Sequence, residues 1–366
     1  MTMARGELVD STVTPYYHCI SRCVRRAFLC GEGCEHRKQW IEDRLRELDS
    51  IFAVEVAAFA ILDNHMHVVL KLNDSTAAGW SDEDVVRRWG RLFPPRGKDR
   101  QPLEVSEDWV TAQLKDAKWV AETRKRLNSL GWFMKCLKEP LARMANKEDG
   151  CKGTFFEGRY KSIAILDEEA LLTTLAYVDL NLVAAGVAKT PEESEHTSVK
   201  ARVDHCREQG SLNEVVDQPQ DRTKHDLPLE DDSFWLVPIA DRRPQSSVGS
   251  VQFSDSMQKE SDGGGVSTAN AVRAGISPHM NLAGYLQLLD WSSRLLRAGK
   301  ARVPKDVAGI LERLGSSADF WQHRLEKLRD RSRIFGTVFA TKRSEINRMA
   351  ESRGVKKLSN LNGCSG

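Results

Sequence analysis

The sequence predicts an α+β protein: an antiparallel sheet with helices packed on one of its faces. Three observations carry this. Stretches of β character and of helical spacing alternate in the order β-α-β-β, then several helices, then strand and helix. Residues 65–72 alternate strictly, with His65, His67, Val69 and Lys71 on one side and the apolar Met66, Val68, Leu70 and Leu72 on the other. Residues 168–183 carry Leu171, Leu175, Val178 and Leu182 at helical intervals, a stripe that suits a helix lying on a sheet.

Taken in order, Val13 to Val24 reads as a first strand centred on Tyr16-Tyr17-His18-Cys19-Ile20. Glu35 to Leu48 follows as a helix, with Trp40, Ile41, Leu45 and Leu48 apolar. Phe52 to Leu62 is small and β-branched, a second strand, and Asp63-Asn64 turns it into the strand bearing the histidines. Helices are expected over Asp82–Leu92, Val105–Leu127 and Gly131–Asn146, with a loop at Pro94-Pro95-Arg96-Gly97. Thr154 to Ile165 reads as another strand. Glu168 to Val183 is a clear helix, with Asp167 as N-cap and an acidic first turn that suits the helix dipole.

The chain's 366 residues suffice for a substantial core. No apolar run is long enough to span a bilayer, and the N-terminus lacks a basic start followed by an apolar middle. A cytoplasmic protein with its eight cysteines reduced is therefore expected. The net charge of +2 hides an uneven distribution. Residues 190–232 hold 12 acidic and 5 basic side chains, and residues 233–366 hold 21 basic and 12 acidic. This divides the chain into a domain over 1–189 with a helical insertion at about 74–150, an acidic to Gly/Ser-rich linker over 190–275 with Gly263-Gly264-Gly265 as its clearest flexible point, and a basic helical region over 276–366. Helices are expected there over Leu282–Arg297, Lys305–Arg313 and Ala318–Arg331. The basic end suits a polyanionic partner and equally suits solvated helix faces.

Two imidazoles two residues apart on a strand can reach one metal ion. Alone, His65 and His67 do not separate a metal site from two polar residues facing water. Tyr177 and Asn181, four apart, present a phenol and an amide together at the flank of the apolar stripe of their helix. An amphipathic Tyr at a stripe edge and an Asn near a helix end have the same pattern. Cys19, Cys23, Cys30 and Cys34, flanked by His18 and His36, are spaced more widely than structural zinc ligands usually are, and they read equally as small buried residues.

Three motifs in this order, Asn64-His65-Met66-His67, Gly158-Arg159-Tyr160-Lys161-Ser162 and Tyr177-Val178-Asp179-Leu180-Asn181, resemble the HUH single-tyrosine transposases. The similarity is greatest to the REP-associated group, relatives of the insertion-sequence-200-like enzymes, and it covers roughly residues 13–190. The resemblance implies a ferredoxin-like sheet with the His pair on a central strand. It implies Tyr177 as nucleophile, with Tyr160 as the competing tyrosine, and His65, His67 and Asn181 as ligands of Mg²⁺ or Mn²⁺. It implies single-stranded or hairpin DNA as substrate, cleaved through a 5′-phosphotyrosine, and action as a monomer rather than a homodimer. Arg22, Arg25, Arg26, Arg159 and Lys161 are the candidate backbone contacts, each equally readable as a surface charge. Trp132, Phe133, Phe155 and Phe156 suit base stacking or core packing.

The chain departs from that family after the tyrosine helix. Leu182 and Ala184 stand where relatives commonly have Pro and Arg, so the helix is expected to run on to Gly186 and one possible DNA contact is lost. A domesticated relative that binds repeat hairpins without cutting is therefore the alternative. A metal hydrolase unrelated to DNA would need a carboxylate beside the histidines, and only Asp63 and Glu55 are near in sequence.

Overall fold

The computed structural model describes residues 9–210, 234–241, 274–278, 280–296 and 334–335. Four strands build an antiparallel sheet: β1 (Tyr16–Arg22), β2 (Val54–Ile61), β3 (His65–Leu72) and β4 (Lys161–Ile165), in the order β2-β3-β1-β4. A two-residue β5 (Ile334–Phe335) runs parallel to β4. Helix α1 (His36–Ile51) connects β1 to β2. Five helices connect β3 to β4: α2 (Asp74–Gly79), α3 (Asp82–Leu92), α4 (Glu107–Leu114), α5 (Ala117–Leu127) and α6 (Leu130–Glu148). This order and connectivity is the ferredoxin-like arrangement, so the α+β class read from the sequence is the observed one.

The first face carries long apolar side chains. Tyr17, Cys19, Val56, Phe59, Met66, Val68 and Leu70 pack there against Ile41, Leu45 and Leu48 of α1 and Phe133 and Leu137 of α6. Pro140 lies inside α6 and cannot donate to the carbonyl of Cys136. Arg44 Nε donates to that carbonyl at 3.2 Å, so a partly buried arginine of α1 mends the gap and ties the two helices together.

The sequence reading left the second face open, and the structure corrects this. Helices α7 (Glu168–Asp179), α9 (Ser198–Glu208) and α10 (Leu282–Leu296) cover much of it, burying Ala58, Ala60, Val69, Ile163 and Ile165 of the sheet. The strand contributes small residues here, and two of the three covering helices lie far along the chain, so no local pattern announces them. The register of β2 against β3 shifts between Val56 and Ala58. The buried Arg202 of α9 donates to the Ala57 carbonyl at 3.0 Å and to Val237 at 2.7 Å. Residues inside the stretch read as a linker are thus built into the domain. The Gly263-Gly264-Gly265 point and the helices expected over 305–313 and 318–331 lie outside the described residues.

Other element boundaries differ from the reading for local reasons. The helix expected over Val105–Leu127 is two, because Asp116 Oδ1 accepts from Trp119 N at 2.9 Å and starts a new helix. Of the strand expected over 154–165, only β4 is regular. Asp167 caps α7 through Ala170 N at 2.7 Å. The tyrosine helix breaks at Leu180 (φ −87°, ψ 1°), resumes as α8 (Asn181–Ala184) and ends in a Schellman motif. There Gly186 adopts φ +73°, Gly186 N donates to Val183 O at 3.0 Å and Val187 N to Leu182 O at 2.9 Å. Glycine adopts that backbone angle without the strain a side chain would bring.

Candidate functional site

Register places the site before any side chain is considered. Pairing sets Arg22 opposite His65 and Ile20 opposite His67, and on the other edge of β1 sets Ile20 opposite Lys161. Paired residues share a face, so His18, Arg22, His65, His67 and Lys161 all lie on the second face of the sheet. Tyr177 and Asn181, one turn apart on either side of the break at Leu180, both meet these histidines.

The ring of Tyr177 stands edge-on to that of His67, with centroids 5.6 Å apart, and 6.1 Å from that of His18. Asn181 Nδ2 lies 3.5 Å from His67 Nε2. The rings of His65 and His67 are 5.0 Å apart. The four side chains singled out in the sequence therefore meet at one place. Among the described residues Tyr177 Oη has no hydrogen-bond partner, and its ring is only partly buried.

Each histidine of the pair has its Nδ1 engaged. His65 Nδ1 meets Asn64 Oδ1 at 2.6 Å and His67 Nδ1 meets His18 Nε2 at 2.8 Å. Burial lowers the pKa of all three rings. His18 falls to about 3, with Lys161 adding to the effect, and His65 falls to about 4, with Arg22 adding. His67 lies well below the usual imidazole range, through burial first and then the neighbouring His18, His65 and Arg22. Near neutral pH the site holds uncharged imidazoles, the form that ligates metal. Among the described residues no three His, Cys, Asp or Glu side chains converge at metal-ligand spacing, and the further polar side chain beside the histidine pair is Asn181.

The cations gather at the rim. The 3-10 turn Val24–Arg26 that follows β1 is clipped to the Asp63–Asn64 turn, with Cys23 N donating to Asn64 O and Cys30 N to Asp63 O, both at 2.8 Å. Asn64 Nδ2 reaches Arg26 O at 3.4 Å. Arg25 and Arg26 are exposed beside the entry to β3, both in left-handed backbone, at φ +54° and +57°. Glu157 N donates to Arg22 O at 2.8 Å, which brings the loop bearing the exposed Arg159 to the same edge.

Tyr160 is elsewhere. It is buried in the core of the first face, as are Phe133 and Phe155, while Trp132 and Phe156 pack partly buried against that core beneath cationic side chains. Cys19, Cys23 and Cys30 are buried in the same core, with Cys23 and Cys30 hydrogen-bonded to each other. Asp179, between Tyr177 and Asn181 in sequence, is fully buried away from the histidines. Its carboxylate accepts from Ser198 Oγ, from Val199 N at 2.9 Å and from Tyr285 Oη at 2.6 Å. Burial raises its pKa while these donors oppose the rise.

His18 is the member of the site that sequence reasoning missed. The sequence places it at the centre of the first strand and beside the cysteines, without linking it to His65 and His67. The alternation of β1 held the signal, since it places His18 on the face of Ile20 and Arg22.

No family model matches the sequence, and no curated protein matches it. Among solved structures, the REP-associated tyrosine transposase bound to a REP hairpin is similar to 56% of this chain and 86% of its own, at 13% identity and a TM-score of 0.34. Likeness at that level is too slight to bear on family or function. No helix among the described residues is long and apolar enough to cross a membrane.

Proposed function

We propose that this chain is a divalent-metal-dependent enzyme that nicks and rejoins single-stranded or hairpin DNA through Tyr177. The observation that supports it is the meeting of a phenol, two neutral imidazoles and an amide on one sheet face with cations at the rim. Tyr177 Oη gives up its proton and attacks the scissile phosphorus, an O–P bond forms as the P–O3′ bond breaks, and the leaving 3′-oxygen takes up a proton, so none is gained or lost overall. The resulting 5′-phosphotyrosine keeps the bond energy for rejoining, which hydrolysis would lose. A free phenol has a pKa near ~10, so attack at neutral pH needs its developing charge offset.

His65 and His67 through Nε2, and Asn181 through its amide oxygen after rotation of the amide, would hold Mg²⁺ or Mn²⁺. The donor set suits such an ion: both Nδ1 atoms are engaged by second partners, which leaves both Nε2 atoms for ligation. When bound, the ion polarises the phosphate and stabilises charge on its oxygens. Arg22, Arg25, Arg26, Arg159 and Lys161 would hold the flanking phosphates and fix the strand's direction.

The test is a covalent adduct with a labelled hairpin oligonucleotide and Mn²⁺. Tyr177→Phe is expected to reduce adduct by at least about three orders of magnitude, as loss of a nucleophile does, with unchanged thermal stability. An adduct retained in Tyr177→Phe but lost in Tyr160→Phe would reassign the nucleophile. Hairpin binding without any adduct from the unmodified chain would make it a binding module.

A further inference from the structure

His18 and His67 are both buried, at 1% and 2% exposure, and stack with centroids 5.0 Å apart. His18 Nε2 lies 2.8 Å from His67 Nδ1. Two ring nitrogens this close meet through a hydrogen bond rather than as two lone pairs or two N–H groups. One proton therefore lies between the two nitrogens, and the other proton of the pair takes one of two places. If His18 donates, His67 carries N–H on Nε2, toward Asn181. If His67 donates, its Nε2 lone pair faces Asn181 and His18 carries N–H on Nδ1. That Nδ1 is buried without a hydrogen-bond partner. The second arrangement leaves a buried donor unmet and the first leaves only a lone pair, the smaller penalty.

We propose that His18 is a positioning residue that sets the tautomer of His67, donating to it in the cation-free protein and accepting from it once a divalent cation takes Nε2. This rests on the reading of His65, His67 and Asn181 as a cation site. The pair neither gains nor loses a proton in the exchange. The shared proton moves onto His67 Nδ1, the Nε2 proton of His67 leaves to water, and water returns one to His18 Nδ1. His67 Nε2 keeps its proton until a cation replaces it, and the ligated ring then has an acceptor behind it in His18 Nε2. The same contact braces the ring that forms the wall against Tyr177.

The experiment uses the full chain labelled with ¹⁵N-histidine, and Zn²⁺ as a diamagnetic probe. An N–H···N hydrogen bond transmits a nitrogen–nitrogen scalar coupling, so NMR shows both the bond and the nitrogen that holds its proton. The expected result is coupling between His18 Nε2 and His67 Nδ1, with the proton on His18 without Zn²⁺ and on His67 with it. His18→Phe is expected to weaken Zn²⁺ binding by about tenfold or more, and His18→Gln to recover part of that loss. Absence of the coupling, or its proton on His67 before any cation is added, overturns the proposal, and neither result depends on a variant folding. Zn²⁺ affinity unchanged in a folded His18→Phe overturns it as well. A resting coupling with the proton on His18, together with His65 and His67 signals that Zn²⁺ never moves, overturns the cation site and the reversal with it. The resting hold on His67 is then what stands.

Discussion

The two faces of the sheet are both covered, yet they are built from different material. The α1 face is a continuous apolar layer in which Leu45, Leu48, Val68 and Leu70 have no exposed surface. The opposite face combines Ala58 and Ala60, whose small side chains admit helices closely, with buried polar groups: His18, His67, Arg202 and Asp179. Burying polar groups costs stability unless each finds a partner, and here most do, at short range and from distant segments. One face is thus built to hold the fold, and the other gives up part of that stability to bury polar groups.

The largest effect that sharpens this contrast is on the apolar side. Leu48→Ala removes a fully buried side chain between α1 and the sheet. It is expected to cost about 2–5 kcal/mol in urea unfolding. Adduct formation per folded molecule should be unchanged, because Leu48 lies across the sheet from Tyr177. Loss of adduct at full folding would show that the two faces are coupled through the strands.

The α1 face was legible from sequence because its signals are local. Alternation over 65–72 fixed which side of β3 is core, and helical spacing located α1 and α7. His65, His67, Tyr177 and Asn181 stood out through spacing, yet spacing alone did not say that they meet, since β3 and α7 are separated by the whole helical insertion. His18 was hidden for a different reason. Its significance depends on the β1–β3 register, which sets Ile20 against His67 and so brings His18 within reach. Arg202 is harder still. In an acidic stretch it reads as a solvated charge, and the carbonyls it serves belong to the bulge at Ala57 and to the distant Val237. The covering helix α10 meets α7 through Tyr285 and Asp179, 106 residues apart, which no periodicity links.

A smaller effect separates the faces by pH. His65 has its folded pKa lowered to about 4, against 6.5 unfolded. Its contribution is fully present above the unfolded value. As pH falls from 6.5 toward 4 the unfolded chain takes up the proton first, so stability falls. For the metal-free protein the His65 share of the drop between pH 7 and pH 5 is about 2 kcal/mol. Urea unfolding at the two pH values should show His65→Gln with the shallower dependence, while Leu48→Ala keeps the full one. An unchanged slope in His65→Gln would mean that the ring is already charged, or solvated, in the fold.

The smallest effect concerns the rim, where the second face meets solvent. Arg25 and Arg26 both occupy left-handed backbone, which costs a side-chain-bearing residue roughly 1–2 kcal/mol. Neither is buried, so packing does not repay that strain. The clips from Cys23 and Cys30 to the Asp63–Asn64 turn hold the segment in place. Arg25→Gly relieves the angle but adds backbone freedom to the unfolded chain, so the two changes nearly cancel and stability should move by less than about 1 kcal/mol. Hairpin binding should weaken severalfold, and the slope of log affinity against log salt should fall by about one, the mark of a single lost phosphate contact. Fluorescence anisotropy across a salt series measures both. An unchanged slope would mean that the turn is strained for the sake of its backbone, which presents the Arg26 carbonyl to Asn64 and through it steadies His65, and that the charge of Arg25 is incidental.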